Sequence, residues 1–245
     1  MNTKGKELKR IARQNLLGHY RVPVAVTLLP SIFISLAQSV FSLAIGEVVT
    51  VQQLIITYAV DFLLLLITQV FSAGTILVHL NLARRKEANV GMLFYGFKNH
   101  PDRYILAGLL TLLLLVVPML PFFGSIYYFY YINDSFNGLL VMLGGLLVTL
   151  ILAFYVEANI FLMFYFLVDH SEMKVTTALK LSVSHMKGHR LRLVGIYISY
   201  IPMLILAILS LGVGILWVSP YFNQTISMFY LNVIGERPTC SAKLF

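Results

Sequence analysis

All 18 lysine and arginine residues of this 245-residue chain lie in clusters, and the clusters occur only in alternate gaps between long apolar runs. They cover residues 4–21, 84–103 and 174–192 and the tail beyond residue 236. The apolar runs cover about residues 22–45, 54–82, 104–122, 138–168, 193–210 and 213–234. Most of these runs reach the ~20 residues that a helix needs to cross ~30 Å of hydrocarbon. The sequence therefore predicts an all-α bundle of six transmembrane spans.

The distribution of charge also predicts the orientation of the bundle. Lysine and arginine are retained on the cytoplasmic side during insertion, so the basic gaps and both termini are predicted to be cytoplasmic. The composition is 59% hydrophobic and 11% charged, which makes residues 1–245 a single integral membrane domain. We interpret the net charge of +8 as loops that face the anionic headgroups of the lipid bilayer, and we expect no nucleic acid partner.

The basic segment 1–21 has the pattern of an amphipathic helix. Over residues 3–20 the cations lie largely around one face, and the apolar face holds Leu8, Ile11, Ala12 and Leu16. We expect this helix to lie on the inner membrane surface, either as a contact for lipid or a partner or as an anchor that orients the first span. A second surface helix is expected within residues 171–188, with Gly188 as its stop.

The two ends of the bundle each leave an alternative open. The first run is about twice as long as the apolar core of a signal peptide, so it is predicted to be an uncleaved span, with cleavage after Ala44 as the alternative. The run over residues 193–234 is too long for one span and is predicted to form a hairpin at residues 210–214. A break at Pro220 would instead give five spans and place Arg237 and Lys243 outside, which the charge rule disfavours.

Some gaps between the apolar runs contain no lysine or arginine, and the longest of these gaps is predicted to be an external loop. It covers Phe123–Asn137, and its tyrosines suit an aromatic belt at the membrane surface: Tyr127, Tyr128, Tyr130 and Tyr131. Pro118 and Pro121 precede it and are expected to break or kink the end of the third span.

Polar side chains are concentrated on single faces of three spans. The second span carries Thr57, Asp61, Thr68, Ser72, Thr75 and His79 within about 60° of one another on a helical projection. The first span carries Thr27, Ser31, Ser35, Gln38 and Ser42, and the sixth carries Asn223, Ser227 and Tyr230. Such faces are unfavourable against lipid, so they are predicted to turn toward one another or toward water.

Two carboxylates within the spans are the most distinctive candidate site residues. A charged Asp61 or Glu157 at depth costs at least ~2.5 kcal/mol unless it has a partner, a proton or a cavity. The candidate intramembrane polar site consists of Asp61, Gln38, Gln69, His79, Glu157 and Asn159. One hypothesis is a proton-coupled or cation-binding site at the two carboxylates. The other places Asp61 near the outer headgroups and makes Glu157 a neutral acid that bonds within the bundle.

Sequence signatures of enzymes are lacking. The chain contains no glycine-rich phosphate loop, no His-Glu-x-x-His and no Gly-x-Ser-x-Gly, so we predict no catalytic residue and no cofactor. His185 and His189 are spaced for one metal ion, but Gly188 is expected to end their helix and further ligands are lacking, so no metal is predicted. Gly145, Thr149 and Ala153 form a series of small residues one turn apart, which is more typical of close helix packing than of a ligand path.

Several stretches of the chain resemble a known family. Residues 178–190 read Ala-Leu-Lys-Leu-Ser-Val-Ser-His-Met-Lys-Gly-His-Arg, residues 211–221 read Leu-Gly-Val-Gly-Ile-Leu-Trp-Val-Ser-Pro-Tyr, and Met-Phe-Tyr follows at 228–230. Upstream, Leu93–Phe97 and Asp169–Met173 resemble elements that read Leu-Phe-x-Gly-Phe and Asp-Asn-Pro-Glu. These stretches are similar to the domain of unknown function 975 family, integral membrane proteins found mainly in Gram-positive bacteria. The resemblance implies a multi-pass protein of the bacterial plasma membrane, and it assigns no site residues because the family has no established activity.

Two functions are therefore in view. The first is a non-enzymatic accessory or lipid-facing component of the cell envelope, acting with a protein partner or as a homo-oligomer. The alternative is a transporter of a small solute or ion that uses Asp61 and Glu157 as coupling groups. A water-accessible cavity between the polar faces would favour transport, and a dry interior would count against it.

Overall fold

The computed structural model describes residues 5–236, and these residues form helices and turns without a strand. The predictions for Arg237 and Lys243 concern residues outside this range. The helices are, in chain order, α1 Gly5–Leu16, α2 Arg21–Ile45, α3 Val51–Ala83, a 3-10 helix Val90–Phe94, α4 Tyr95–Lys98, α5 Pro101–Tyr131, α6 Phe136–Ile160, α7 Met163–Asp169, α8 Val175–Met186, α9 Arg190–Leu209 and α10 Ile215–Val233. The all-α prediction is confirmed.

In the described part of the chain, 5 helices are long and apolar enough to cross a membrane. They are α2, α3, α5, the joined α6 and α7 over Phe136–Asp169, and α9. The sixth predicted span corresponds to α10, which has 19 residues but is not among these five. Asn223, Gln224, Ser227 and Asn232 reduce its mean hydropathy, so the sixth span is not confirmed.

The prediction of a long external loop at Phe123–Asn137 was wrong. Helix α5 continues without a break through Pro118 and Pro121 to Tyr131, and only residues 132–135 connect it to α6. Proline is tolerated within a membrane helix because neighbouring helices and local adjustment can satisfy the carbonyls that it frees. The exposed tyrosines Tyr127, Tyr130 and Tyr131 therefore belong to the last turns of a helix.

Helices α5 and α6 form a closely packed hairpin. Gly145 faces Ser125, and a Cβ added at Gly145 would lie 2.2 Å from the Ser125 Oγ and 2.9 Å from the Pro121 carbonyl oxygen. Thr149 is buried one turn further along. The series of small residues in the fourth span is therefore a packing surface, as its spacing indicated.

The fourth span is divided near its basic end. Helix α6 ends at Ile160 and α7 begins at Met163. Ser182 of α8 bridges the break: its hydroxyl donates to the Asn159 carbonyl at 2.7 Å and accepts from the Leu162 amide at 3.1 Å. A side chain from another helix thus satisfies backbone groups that the divided helix leaves unpaired.

The amphipathic face of α1 is buried against protein. Leu8, Ile11, Ala12 and Leu16 are the residues predicted to share it, and all four are buried. The Tyr221 hydroxyl of α10 donates to the Lys9 carbonyl at 3.2 Å, and the Lys9 ammonium donates to the Ser199 carbonyl of α9 at 3.1 Å. Helices α9 and α10 therefore supply an apolar partner for this face, and the location of α1 on the inner membrane surface stays a prediction.

Helix α9 is separated from α10 at the glycines and not at Pro220. Leu211 and Gly212 have φ of 54° and 87°, and α10 runs through Pro220 without interruption. The hairpin interpretation therefore places the break correctly. Helix α10 has a continuous buried stretch, Gln224–Leu231, so it lies at the centre of the bundle.

Packing is unequal between the two ends of the helices. The basic end is the end at which α2 begins and α3 and α10 finish, and most of the buried side chains lie there. Toward the other end, which we call the far end, apolar side chains are widely exposed, including Leu43 at 84% and Ile55 at 63%. The hairpins of α2 with α3 and of α5 with α6 therefore leave apolar faces at the far end that the chain itself does not cover.

Candidate functional site

A cavity of about 420 Å³ lies halfway along the helices, where the packed basic end gives way to the exposed far end. We call it the intramembrane cavity. Its polar wall residues come from α2, α3, α5, α6, α7 and α10 and are Thr27, Thr68, Ser72, Thr75, Thr111, Glu157, Tyr165 and Asn223. Apolar side chains such as Phe71 and Phe222 form the rest of the wall. The prediction that the polar faces of three spans turn toward one another is confirmed at these positions.

Four hydroxyl groups of the cavity wall donate their protons to carbonyls of their own helices. Thr68 donates to the Leu64 carbonyl at 2.9 Å, and Thr111 donates to the Ala107 carbonyl at 2.9 Å. Thr27 and Ser72 make equivalent bonds of 2.9 and 2.7 Å. Because each hydroxyl carries one proton, its free lone pairs remain as acceptors. These hydroxyls therefore present mainly acceptors to the cavity, whereas the Asn223 amide and the Tyr165 hydroxyl of the same wall can also donate.

Glu157 adds a carboxylate to this acceptor-rich wall. Its side chain is exposed and lines the cavity, and no hydrogen bond or ion pair holds it within residues 5–236. No lysine or arginine is among the wall residues of the described chain. The cavity consequently carries acceptors and one acidic group without a balancing cation.

A buried polar pair lies next to the cavity on the side of the basic end. His79 of α3 is one turn beyond the wall residue Thr75, and its Nδ1 lies 2.8 Å from the Gln224 Oε1 of α10. His79 is 1% exposed and Gln224 is 0% exposed, and the Nε2 atom of each side chain has no hydrogen-bond partner in the described part of the chain. This pair belongs to the packed layer that closes the cavity toward the basic end.

Of the candidate site residues, the structure brings only Glu157 to the cavity wall. Asp61 and Gln38 are exposed on the far halves of α3 and α2, and neither lines the cavity. Gln69 packs against Gly108 of α5, where an added Cβ would lie 2.7 Å from the Gln69 Cγ. The Nδ2 of buried Asn159 donates to the Tyr155 carbonyl at 2.6 Å. The two carboxylates therefore do not share one site.

A second polar cluster joins three helices at the basic end. The Arg84 guanidinium donates to Asp169, and it donates to Glu236 at 2.7 and 2.9 Å. The Tyr230 hydroxyl donates to the Asp169 Oδ2 at 2.9 Å. The hydrogen bond to Asp169, which has the larger effect, and the hydrogen bond to Glu236 raise the pKa of Arg84 above its ordinary value, so Arg84 stays charged.

Comparison with known protein families identifies the family of this chain. The model of the family described as protein of unknown function (DUF975) matches residues 1–237. The chain belongs to this family. No curated protein and no solved structure matches this DUF975 member.

Sequence reasoning missed several site residues of this DUF975 member. Gln224 lies beside Asn223, and it was overlooked because it falls off the face that Asn223, Ser227 and Tyr230 share. Arg84 and Asp169 are far apart in sequence, so nothing in the sequence of either helix end identifies their contact. Thr111 is an isolated hydroxyl in an apolar run, and only the packing of α5 brings it to the cavity.

Proposed function

We propose that this chain is a six-span, non-enzymatic protein of the bacterial plasma membrane that binds an amphiphile in its intramembrane cavity. The polar head of this amphiphile carries hydrogen-bond donors, such as an ammonium or hydroxyl groups. Its apolar tail extends along the exposed apolar faces of the far end. The basic end, with both termini, faces the cytoplasm. This proposal makes the lipid-facing interpretation of the sequence more specific.

The course of α10 supports six spans. The Arg192 guanidinium at the start of α9 donates to the Asn232 side chain near the end of α10 at 2.6 Å. Helix α10 therefore returns to the level at which α9 begins. At 1.5 Å per residue its 19 residues extend ~28 Å, close to the thickness of the hydrocarbon layer. Neighbouring helices shield its polar residues from lipid, so low hydropathy does not prevent it from crossing.

The composition of the cavity wall supports the proposal that the polar head of the ligand supplies hydrogen-bond donors. Hydroxyl oxygens with free lone pairs and the unpaired Glu157 carboxylate line one space, and no wall residue is cationic. A buried acceptor without a donor costs ~1–3 kcal/mol, so a ligand that supplies donors is favoured there. A phosphate or carboxylate head would meet the like charge of Glu157, and among the wall residues only Asn223 and Tyr165 could donate to it.

The exposed far halves of the helices support the proposal for the tail. Thr68 and Glu157 are exposed as well as cavity-lining, so the cavity is open to the surroundings. Beyond it, the face of α2 is formed by Phe33, Leu36, Val40 and neighbouring apolar residues. Hydrocarbon meets such a surface favourably, whereas water does not. A polar cavity that is followed by an apolar face along the helices suits an amphiphile with one polar head and one hydrocarbon chain.

The test is ligand binding by the full chain in phosphatidylcholine nanodiscs. Dodecylammonium is the probe, and dodecyl sulfate is the matched probe with the same tail and the opposite charge. We expect Glu157→Gln to weaken the binding of dodecylammonium about 10-fold or more, since a hydrogen bond to a charged group contributes ~1.5–3 kcal/mol. Asp61→Asn is the control variant because it removes an intramembrane carboxylate that lies outside the cavity.

Three results would contradict the proposal. They are equal affinity for the two probes, unchanged affinity in Glu157→Gln, or equal losses in the two variants. A protection assay on single cysteines placed at the two ends of α10 tests the number of spans separately. Six spans require that a residue at 214 and a residue at 235 are labelled from opposite sides of the membrane.

Proton-coupled transport is the second candidate function. It is favoured by His79 and Gln224, which place unpartnered polar nitrogens one turn beyond the cavity wall. Glu157 would be the coupling group in this mechanism, and Asp61 lies too far along α3 to line the same cavity. Transport requires the flux of a dodecylammonium or similar amine into proteoliposomes to respond to a pH gradient. Binding without flux would leave the first function.

A further inference from the structure

A second cavity, of about 750 Å³, lies at the basic end of the molecule. We call it the basal pocket. Its walls come from the turn between α1 and α2, over residues 14–22, and from the end of α3 with the turn that follows it, over residues 82–89. It shares no residue with the intramembrane cavity, so its role is independent of the function proposed above.

The basal pocket is strongly basic. Arg21, Arg85 and Lys86 line it together with His19, whereas Glu87 is the one carboxylate among its wall residues in the described chain. Arg21 and Lys86 are exposed, and neither has a hydrogen-bond or ion-pair partner within residues 5–236. The adjacent Arg84 differs because Asp169 and Glu236 already bind its guanidinium. The pocket therefore holds cationic groups that the protein does not neutralise.

The turn after α3 holds Arg85 and Lys86 in a defined backbone conformation. Arg85 has a φ of 56°, which is uncommon for a residue other than glycine. Hydrogen bonds stabilise this turn: the Arg85 amide donates to the Leu82 carbonyl at 3.2 Å, and the Lys86 amide donates to the Asn81 carbonyl at 2.8 Å. Strained backbone that its surroundings hold in place is frequent at ligand sites.

The position of the pocket indicates where its ligand resides. Helix α2 begins at Arg21 and α3 ends at Ala83, so the pocket lies at the level where the apolar helices start. Leu17 also lines the pocket and is 60% exposed beside the cations. A site with cations and apolar side chains at this level suits a lipid headgroup that is joined to its hydrocarbon.

We propose that the basal pocket binds the phosphate-bearing headgroup of an anionic phospholipid from the leaflet at the basic end. Arginine and lysine donate charge-assisted hydrogen bonds to phosphate oxygens, and the exposed Arg21 and Lys86 side chains supply such donors here. Asn15 and Asn89 add neutral polar groups to the wall, which suit the hydroxyls of a glycerol headgroup. Leu17 and Val22 contact the upper part of the acyl chains.

The test is lipid binding by the full chain in a mild detergent, measured by native mass spectrometry. The probe is phosphatidylglycerol, and phosphatidylcholine with the same acyl chains is the reference lipid. The double variant Arg21→Gln with Lys86→Gln removes two exposed charges of the pocket. We expect it to bind phosphatidylglycerol about 30-fold more weakly, since each cation near the surface contributes ~1 kcal/mol.

The matched control is Lys174→Gln with Lys180→Gln, which removes the same charge from exposed positions outside the pocket. Arg21→Lys with Lys86→Arg keeps the charge and is expected to retain binding. Equal losses in the control and pocket variants would overturn the proposal, because they would indicate attraction by net charge alone. Unchanged binding in the pocket variant would also overturn it. Displacement of phosphatidylglycerol by millimolar inorganic phosphate would assign the site to a free phosphate instead of a lipid.

Discussion

The guanidinium of Arg84 donates two hydrogen bonds to the carboxylate of Asp169, at 2.5 and 2.9 Å. This pair joins the end of α3 to the end of α7, and Tyr230 and Glu236 add the end of α10 to the same cluster. A bidentate pair fixes the relative orientation of its two side chains as well as their distance. Three helix ends that are distant in sequence are thereby held in register at the basic end.

Arg84→Gln is expected to destabilise the folded chain by about 2 kcal/mol. Breaking a buried pair costs ~3–5 kcal/mol, and the remaining exposure of Arg84 and Asp169, 18% and 14%, reduces this value. Thermal unfolding of the full chain in detergent measures the loss. Arg10→Gln is the control because Arg10 is an exposed arginine on α1. Equal decreases of the unfolding temperature in Arg84→Gln and Arg10→Gln would contradict a stabilising role for the Arg84–Asp169 pair.

Gly74→Ala and Gly96→Ala are each expected to lower stability by more than ~2 kcal/mol. A Cβ at Gly74 would lie 2.1 Å from the Leu93 carbonyl oxygen, and a Cβ at Gly96 would lie 2.4 Å from the Val70 carbonyl oxygen. Helix α3 and the 90–98 segment are in backbone contact at these points and would have to separate. Gly144→Ala and Gly195→Ala meet nothing within 4 Å and are expected to leave the unfolding temperature unchanged or raised. Tolerance of alanine at Gly74 would refute the close contact.

The sequence predicted the parts of this fold that depend on apolar runs and on single-helix faces. The amphipathic face of α1 was correct residue by residue, because periodicity alone determines which side chains share a face. The partner of that face was not predictable, since lipid and the surface of α9 and α10 are equally apolar. The course of α5 through Pro118 and Pro121 was missed because the tolerance of proline in a membrane helix depends on neighbours.

The site was predictable to a similar extent. Glu157 and the polar faces follow from the rarity of such groups in membrane helices. The separation of Asp61 from Glu157 depends on how far apart the hairpins lie, and no pattern within one helix contains that information.

His79→Leu is expected to destabilise the chain by about 1–3 kcal/mol because it leaves the Gln224 side chain buried without its hydrogen bond. The double variant His79→Leu with Gln224→Leu removes both polar groups, so it is expected to recover most of the loss. Equilibrium unfolding of the two single variants and the double variant gives the coupling energy. Additive losses would show that the 2.8 Å contact between the two side chains does not contribute to stability.

Ser182→Ala is expected to lower stability by about 1–2 kcal/mol, since both backbone groups that its hydroxyl satisfies are buried. Ser184→Ala is the matched control on the same helix, because Ser184 is exposed. Hydrogen exchange at the Leu162 amide measures the effect locally, and we expect faster exchange in the Ser182 variant alone. Unchanged exchange at Leu162 would argue against the bridge between α6 and α7.

The central position of α10 has a consequence for the synthesis of the protein. Its polar side chains bond to groups of earlier helices, including His79 of α3, Asp169 of α7 and Arg192 of α9. All of these partners precede α10 in the chain, so in the proposed six-span arrangement α10 would enter the membrane after the helices that carry them. The least apolar of the long helices therefore does not need to partition into lipid alone. On the six-span proposal its insertion would be a folding step, and variants that weaken its partners are expected to leave α10 outside the bilayer.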